Sequence, residues 1–345
     1  MFGEWLLYHY GKKCCIILLL EIFLSPFTLY PQNANSQFPT PTFEYISSEN
    51  GLPENSVTCI LQDHLGYLWL GTLNGLVRYN GNSMKVFQHD KNDSSSISNS
   101  SISAIYEDKN KTLWIGTWNG LNKFNRVNGS FKSYKFNPND TNSISDNGIK
   151  CIYENSSGKF WIGTTEGLNL FDRDKQIFTR YFFRDSASKL YTTSIPGKSK
   201  YKFNTPDVPD KKVGRIQSFY KSRDSRIWIA SSNTLSSLDP KEKEYKSYIE
   251  FPIIKQEQNE KGIVIEDRYG YIWCGFWALD NGITCLDPNT GNYRQYKFYP
   301  DKPEGRRFNT VYSIYEDRLG IIWVGTWELG LQKWDKRKHK FHILK

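Results

Sequence analysis

The sequence predicts an all-β chain built from six copies of one short repeat, the architecture of a β-propeller with four-stranded antiparallel blades. Aromatic residues make up 16% of the 345-residue chain, and their side chains suit the pleated, half-buried surface of a strand. A tryptophan recurs about every 45 to 67 residues, and the residues around each copy align. We expect these six residues to be structural: Trp69, Trp114, Trp161, Trp228, Trp273 and Trp323.

Each copy contains the signals for four strands, a to d. An apolar alternation such as Val57, Cys59 and Leu61 predicts strand a, and a turn of the Asp-x-x-Gly kind follows. Strand b carries the tryptophan and a Gly-Thr pair, and a second turn ending in glycine leads to strand c. Strand d is short and aromatic, at Phe87, Phe131 and Tyr134, Phe178 and Tyr181, Tyr245 and Tyr248, Tyr293 and Tyr296, and Phe341.

The cysteines do not have the spacing of a zinc site, since no C-x-x-C pair is present. Cys59 and Cys151 stand ten residues before a core tryptophan, a position that is small in most copies, so we expect buried thiols there. Cys274 and Cys285 fall on strands b and c of one copy, where a disulfide is an open alternative. The pattern predicts neither a metal nor a cofactor.

Residues 1–36 differ in character from the repeats, which we place at residues 37–345. Lys12 and Lys13 precede an apolar run that Glu21 interrupts, and polar residues follow. This order is typical of a secretory signal peptide, with an uncleaved membrane anchor as the alternative. Between the third and fourth tryptophans the longer spacing predicts an insertion loop at about residues 184–212, too short for another blade.

The net charge of +9 raises the question of an anionic partner. The basic residues are not concentrated on one helix or in one run, and the nearest cluster, at residues 189–215, contains prolines and glycines. Such a segment is typical of a solvated loop, so we do not expect direct binding to nucleic acid.

The repeat Asp-x-x-Gly-x-Leu/Ile-Trp-Ile/Val-Gly-Thr-x-x-Gly-Leu resembles the two-component regulator propeller repeat. The segment Gly51–Val57 and the links Ser96–Ile102 and Ser143–Ile149 resemble the usual lead-in to that repeat. The resemblance covers residues 38–345. It implies the extracytoplasmic sensing propeller of a hybrid two-component histidine kinase, in a family many of whose members sense breakdown products of polysaccharides.

The chain departs from that family pattern in two respects. Family propellers usually have seven blades, whereas six copies are recognisable here, so the chain is either a closed six-bladed propeller or part of a larger one. The sequence also lacks kinase motifs, a β-sandwich and a second membrane segment. We therefore expect detection without kinase output, with a histidine kinase or regulator supplied by another chain or by a C-terminal continuation.

Residues of the b–c turns are the candidate ligand site. Propeller geometry places these turns and the d–a links on one face, and three of the six turns carry tryptophan four residues after the core tryptophan. Aromatic rings beside carboxylates and amides suit stacking and hydrogen bonding to a sugar. The candidates are Trp118, Asn119, Glu166, Trp277, Asp280, Trp327 and Glu328. The alternative is that these tryptophans cap the core between blades.

The function predicted from the sequence is an exported, periplasmic sensor propeller that binds an oligosaccharide or other small ligand. A polysaccharide lyase or glycosidase is one alternative, which paired carboxylates or a Tyr/His/Arg set would carry. The five histidines have no convergent partner in the sequence, and recurrent acids such as Asp63 and Asp317 occupy turn positions, so we name no catalytic residue. A protein-interaction scaffold is the other alternative, because fold alone does not decide among these functions.

Overall fold

The computed structural model of the chain describes residues 43–184, 189–192, 216–231, 234–239, 244–250, 262–276, 282–298 and 309–335. The predicted leader at residues 1–36 lies outside these ranges. The described residues form six antiparallel sheets in two compact units. Within the described ranges, no helix has the length and apolar character needed to cross a membrane.

The first unit contains two complete sheets, blades 2 and 3. Blade 2 consists of β6 (Ile102–Glu107), β7 (Leu113–Thr117), β8 (Gly120–Phe124) and β9 (Phe131–Tyr134). Blade 3 consists of β10 (Ile149–Glu154), β11 (Phe160–Thr164), β12 (Leu168–Asp172), β13 (Ile177–Arg184) and β14 (Lys189–Thr192). Strand β14 extends the sheet inside the predicted insertion loop, pairing with the end of β13.

The second unit contains most of blade 1 and all described strands of blades 4, 5 and 6. Blade 1 has β2 (Val57–Gln62), β3 (Leu68–Thr72), β4 (Gly75–Tyr79) and β5 (Met84–Phe87). Blade 4 has β15 (Ile216–Lys221), β16 (Ile227–Ser231), β17 (Thr234–Asp239) and β18 (Glu244–Glu250), and blade 5 has β19 (Gly262–Glu266), β20 (Ile272–Phe276), β21 (Ile283–Leu286) and β22 (Tyr293–Tyr296). Blade 6 has β23 (Val311–Glu316), β24 (Ile322–Thr326) and β25 (Leu331–Trp334).

The outer strand of blade 6 comes from the N-terminal side of the chain. Strand β1 (Glu44–Ile46) pairs antiparallel with β25, and a single turn of 3₁₀ helix (Ser48–Asn50) follows it. The sequence predicts that Phe341 lies on the fourth strand of blade 6. Phe341 is outside the described residues, and β1 forms the fourth strand of that blade. The predicted aromatic d strands of blades 1 to 5 are confirmed, since Phe87, Phe131, Phe178, Tyr245 and Tyr293 all lie on fourth strands.

Five of the six core tryptophans are buried, at no more than 3% exposure, and Trp161 is half-buried. They form aromatic clusters with neighbouring blades: the Trp114 ring lies 5.2 Å from that of Phe160 on blade 3, and Trp273 lies 5.2 Å from Trp334 on blade 6. Such ring contacts stabilise beyond the area they bury. The structural role predicted for these tryptophans agrees with their position.

The glycine of Trp-x-Gly-Thr lies where the next blade approaches most closely. A Cβ at Gly116 would lie 2.5 Å from Ile149 Cγ2 at the start of blade 3, and one at Gly275 would lie 2.6 Å from Val311 on blade 6. Real Cβ atoms do not make such contacts, so these positions exclude any larger side chain without a shift of the neighbouring strand. The motif glycine therefore reflects packing between blades.

Cys59 and Cys151, which the sequence predicts to be buried, are only partly buried. Neither Cys274 nor Cys285 is in a disulfide, and both are fully buried. Cys274 pairs with Thr284 and Cys285 with Trp273, so the two side chains point to opposite faces of blade 5. This register rules out the disulfide that the sequence left open. Burial also raises the pKa of the Cys274 thiol, which disfavours the reactive thiolate.

In four blades, a basic residue in the a–b turn joins one blade to the next. The N–H of Arg268 donates to Glu316 Oε2 at 2.9 Å, and its guanidinium donates to the Asp317 carbonyl at 2.8 Å. Arg318 repeats the pattern toward blade 1, through Gln62 at 3.0 Å and the Asp63 carbonyl at 2.7 Å. The same link joins blades 2 and 3 through Lys109 and blades 4 and 5 through Arg223. Within each unit, the links all point from a blade to its successor, with blade 1 as the successor of blade 6.

Candidate functional site

The threonine of the Gly-Thr pair fixes the b–c turn in blades 2, 3 and 6. Thr117 Oγ1 donates to the Gly120 carbonyl at 2.9 Å and accepts the Asn119 N–H at 3.0 Å. Thr326 in blade 6 makes the equivalent bond to the Gly330 carbonyl at 2.8 Å. The threonine hydroxyl is buried and bridges the two ends of the turn. The side chains between those ends therefore point outward, and they include the candidate ligand residues.

The b–c turns lie beside the links that lead into the next blade. Gly120 N–H donates to the Asn147 carbonyl at 2.8 Å, Gly282 to Asn309 at 3.0 Å, and Gly330 to Asn55 at 3.0 Å. These glycines have φ values of +126°, +72° and +71°, which side chains rarely adopt. In each of these blades, turn and link therefore lie at the same end of the sheet, as predicted, and we call that end of a blade its rim.

Trp118 is the most exposed of the candidate residues with an aromatic ring that the structure describes. Its side chain is 53% exposed, and the Lys150 Nζ lies 3.5 Å from the ring centroid. Trp118 N–H donates to the Ser101 carbonyl at 3.2 Å, which holds the turn against the link. An ammonium group over an indole face is a favourable cation–π contact and places a positive charge at the rim.

Asn119 and Glu166 lie on the same rim in blades 2 and 3. The Asn119 amide Nδ2 lies 3.5 Å from the Ser98 carbonyl, and Glu166 is exposed. Thr165, which precedes Glu166, donates through its N–H to Gly148 at 2.9 Å, two residues before Lys150. Strand β10 thus begins between two b–c turns, and its second residue, Lys150, reaches Trp118 on one of them.

Trp327 in the second unit is more enclosed than Trp118. It is half-buried, its ring lies 5.3 Å from that of Tyr312, and its N–H donates to the Thr310 carbonyl at 3.1 Å. Its own carbonyl accepts the Ser56 hydroxyl. Glu328 beside it is exposed. Trp277 and Asp280 lie outside the described residues.

Lys150 was not among the residues predicted from the sequence. The signal was present in the repeat alignment, because the second residue of strand a is Thr58 in blade 1, Ser103 in blade 2 and Tyr312 in blade 6. A lysine at this position is an exception to the repeat. The b–c turns themselves carry no signal for Lys150, because its contact with Trp118 joins two blades.

A second basic feature lies at a distance from the rim turns, on strands β8 and β9 of blade 2. A shallow groove there is lined by Lys111, Lys123, Arg126 and Lys132, with Phe124 and Phe131 among the other lining residues. Arg126 is paired with Glu107 at 2.7 Å, and Lys132 Nζ donates to Gln176 at 2.5 Å.

Among the described residues, no group of three or more His, Cys, Asp or Glu side chains is placed to hold a metal ion.

The six antiparallel sheets, their shared repeat and the rim turns define the class of protein as a β-propeller. Four stretches match the family model described as two component regulator propeller: residues 51–74, 96–119, 143–166 and 305–328. Each stretch runs from a link through strands a and b into the b–c turn. The resemblance predicted from the sequence is therefore confirmed for blades 1, 2, 3 and 6.

Two solved structures align with this chain over most of its length, and the first of them has a similar fold. The extracellular domain of a hybrid two component system from B. thetaiotaomicron matches with 20% identity and a TM-score of 0.66, over 86% of this chain and 42% of that chain. A second such domain from the same organism matches with 17% identity and a TM-score of 0.46, over 85% of this chain and 39% of that chain. This chain spans less than half the length of either domain.

Among curated proteins, a histidine kinase of Formosa agariphila is 41% identical to this chain over 64 residues. The aligned segment is 19% of this chain and 4% of that kinase. The similarity therefore concerns the propeller repeat, and the activity of the whole kinase is a property of that protein.

Proposed function

We propose that this chain is the extracytoplasmic ligand-sensing propeller of a two-component system, and that its rim binds a saccharide carrying an acidic group. The exposed ring of Trp118, with Lys150 at 3.5 Å from its centroid, is the observation that carries this proposal. One face of an indole can stack against a sugar ring while the ammonium group attracts a carboxylate or sulfate. The signal then passes to a histidine kinase on another chain or on a continuation of this one.

The neighbouring polar residues fit a sugar ligand. Asn119 offers an amide and Glu166 a carboxylate on the same rim, and both groups hydrogen-bond to hydroxyls. A few placed polar groups beside an aromatic ring are typical of small-molecule sites. Trp277, Asp280, Trp327 and Glu328 remain in the proposed set as the equivalent residues of blades 5 and 6.

The relatives support the export and signalling parts of the proposal. The solved structure with a similar fold is the extracellular domain of a hybrid two component system, and the matching family is named for two component regulators. An exported chain with residues 1–36 as signal peptide or anchor is consistent with both. The names of these relatives mention no ligand, so the saccharide part of the proposal rests on the rim residues alone.

The test is a thermal melt and calorimetric titration of the full chain against matched neutral and acidic oligosaccharides. We expect an acidic saccharide to raise the melting temperature, because a ligand that binds only the folded state stabilises it by about 2.7 kcal/mol at a hundredfold excess over Kd. Trp118→Ala should weaken that binding about 10- to 100-fold, the range of a buried aromatic anchor. Lys150→Ala should weaken binding of the acidic sugar and leave a neutral one unchanged.

Lys123→Ala is the matched control, since it removes a lysine from the basic groove of blade 2 and leaves the rim intact. Loss of binding in Lys123→Ala, with Lys150→Ala unaffected, would move the site to the groove. If no saccharide raises the melting temperature or gives a binding signal in calorimetry, the saccharide proposal is wrong. Shortened or unsaturated product in the titration cell would instead support the enzyme alternative.

A further inference from the structure

Two links on the rim of the first unit have the same internal structure: the 89–98 loop, which leads into blade 2, and the 136–145 loop, which leads into blade 3. Each is held by an asparagine on strand c. Asn122 Oδ1 accepts the Ser98 N–H at 2.9 Å, and Asn169 Oδ1 accepts the Ser145 N–H at 2.9 Å. Because both loops are fixed to the same part of a blade, their backbone groups occupy equivalent positions.

In the 136–145 loop, a guanidinium group fills the interior of the turn. Arg180 Nε donates to the Ser143 carbonyl at 2.7 Å, and its Nη2 donates to the Asp140 carbonyl at 2.6 Å and to Ser143 Oγ at 2.5 Å. The Phe136 ring lies 5.3 Å from the guanidinium carbon. Only 8% of Arg180 is exposed. Burial lowers the pKa of Arg180, but an arginine remains charged at neutral pH.

The 89–98 loop presents the same oxygen atoms. Ser96 Oγ lies 3.0 Å from the Asp90 carbonyl and 2.7 Å from the Asp93 carbonyl, as Ser143 does with Asn137 and Asp140 at 3.1 and 2.9 Å. We call the Asp90, Asp93 and Ser96 carbonyls with Ser96 Oγ the carbonyl cradle. Among the described residues, no side chain donates to the Ser96 carbonyl.

The residue equivalent to Arg180 is Ser133. Ser133 pairs with Asn122 on the neighbouring strand, as Arg180 pairs with Asn169. A serine side chain is too short to reach the carbonyl cradle from this strand. The cradle is also more acidic than its counterpart, since Asp90 stands where the other loop has Asn137, and hydrogen bonds from Ser95 lower the pKa of Asp93.

We propose that the carbonyl cradle of the 89–98 loop binds the guanidinium group of an arginine on another polypeptide. That arginine would take the place that Arg180 holds within its own blade. A planar guanidinium presents several N–H donors in a fixed fork, which suits carbonyl acceptors spread around a loop, whereas an ammonium group is a compact point charge. The His89 ring stands at the sequence position of Phe136 and offers a face for stacking. The cradle atoms are distinct from the residues proposed for the saccharide site, although Asn119 of that site contacts the end of the loop at Ser98.

The test is an NMR titration of the full chain with N-methylguanidinium, with tetramethylammonium as the ionic control. We expect saturable amide shifts confined to residues 89–98 with guanidinium and none with tetramethylammonium. Ser133→Arg should abolish the shifts, because its own guanidinium fills the cradle. Ser133→Gln, which is long and uncharged, should change the affinity by less than about twofold.

A second experiment measures binding of two short peptides to the full chain. The peptides are identical except that one contains arginine where the other contains lysine. The arginine peptide should bind at least about tenfold more tightly, and Ser133→Arg should remove that difference. A rise in melting temperature for Ser133→Arg over Ser133→Gln would show that an arginine at this position reaches the cradle. Equal shifts with both cations, or binding unchanged in a folded Ser133→Arg variant, would overturn the proposal.

Discussion

One carboxylate organises the a–b turn in four of the six blades. In blade 6, Asp317 Oδ1 accepts the Leu319 and Ile321 N–H groups at 2.8 and 3.0 Å, and Oδ2 accepts the Trp323 indole N–H at 2.9 Å. Asp63, Asp108 and Asp267 make the same three bonds. These side chains are at most 4% exposed, and a buried charge is tolerated only when its hydrogen bonds are complete.

Blade 3 breaks this arrangement because asparagine replaces the acid. Asn155 Oδ1 accepts the Lys159 N–H at 2.8 Å, which leaves the amide nitrogen, a donor, as the other polar atom. Trp161 Nε1 is also a donor, and it is buried without a hydrogen-bond partner among the described residues. Two donors do not bond to each other, so the asparagine explains the unpaired indole.

Asn155→Asp should therefore stabilise the chain by about 1 kcal/mol, by giving Trp161 an acceptor. The reverse change in blade 6, Asp317→Asn, creates the same mismatch and should destabilise by about 1–3 kcal/mol. Denaturant unfolding of both variants measures the two effects. Changes of the same sign in the two variants would contradict the donor–donor account.

At the residue scale, the sequence predicted the turn acids but not their bonds to tryptophan. The Asp-x-x-Gly spacing is a local signal, since the side chain caps its own turn. The indole bond depends on the rotamer of a residue on the next strand, which packing between blades sets. Lys150 escaped notice for a similar reason, because its contact with Trp118 crosses from blade 3 to blade 2.

At the scale of strands, the motif glycine on strand b of one blade packs closely against strand a of its successor. Gly116 faces Ile149, and the core around them includes Trp114, Phe160 and Ile162. The space at Gly116 is already filled by the isoleucine. A methyl group there must displace β10, which also carries Lys150 at the rim.

Gly116→Ala should destabilise the chain by about 1–3 kcal/mol through overpacking. Ile149→Ala alone should cost about 2–5 kcal/mol as a core truncation. The double variant should cost less than the two together, by about 0.5–3 kcal/mol, because the new methyl group enters the space that the isoleucine leaves. A double-mutant cycle by denaturant unfolding measures this coupling. Strict additivity would show that Ile149 does not restrict the size of the side chain at position 116.

Strands within a repeat were predictable, whereas β1 and β14 were not. The alternation around Val57 and the aromatic positions of strand d recur in register, so six copies support one another. Strand β1 has three residues and pairs with the far end of the sequence, so no local pattern predicts it. Strand β14 lies between Trp161 and Trp228, the most widely spaced pair of consecutive core tryptophans. The other repeats have no aligned residues there that could predict a strand.

At the scale of the molecule, blade 6 is completed by chain from before blade 1. Lys333 pairs with Glu44 across β25 and β1, and Arg318 links blade 6 to blade 1. Blades 6 and 1 also share one apolar core, with Trp323 and Leu331 packed beside Leu70 and Val77. The seam between the last repeat and the first is therefore closed by backbone pairing, a polar link and apolar burial together.

Gly330→Ala tests this seam, because a Cβ there would lie 2.1 Å from the Ile46 carbonyl on β1. Gly66→Ala is the matched control, since Gly66 has a similar positive φ of +91° but nothing within 4 Å of a Cβ. The control should cost about 1–2 kcal/mol from backbone strain alone. Gly330→Ala should cost more and should accelerate hydrogen exchange in β1. Equal effects of the two substitutions on stability and exchange would mean that the contact between position 330 and β1 adds nothing to the cost of Gly330→Ala.

The pairing of β1 with β25 also bears on the order in which the chain folds. A three-residue strand has no partner in its own neighbourhood and must wait until the sixth repeat has been made. Contacts between distant parts of a sequence form slowly, because the intervening chain must be ordered first. The earlier blades can assemble from neighbouring residues as they emerge, while blade 6 keeps an open edge until the two ends meet. Until β1 pairs with β25, that edge is open to mispairing with other chains.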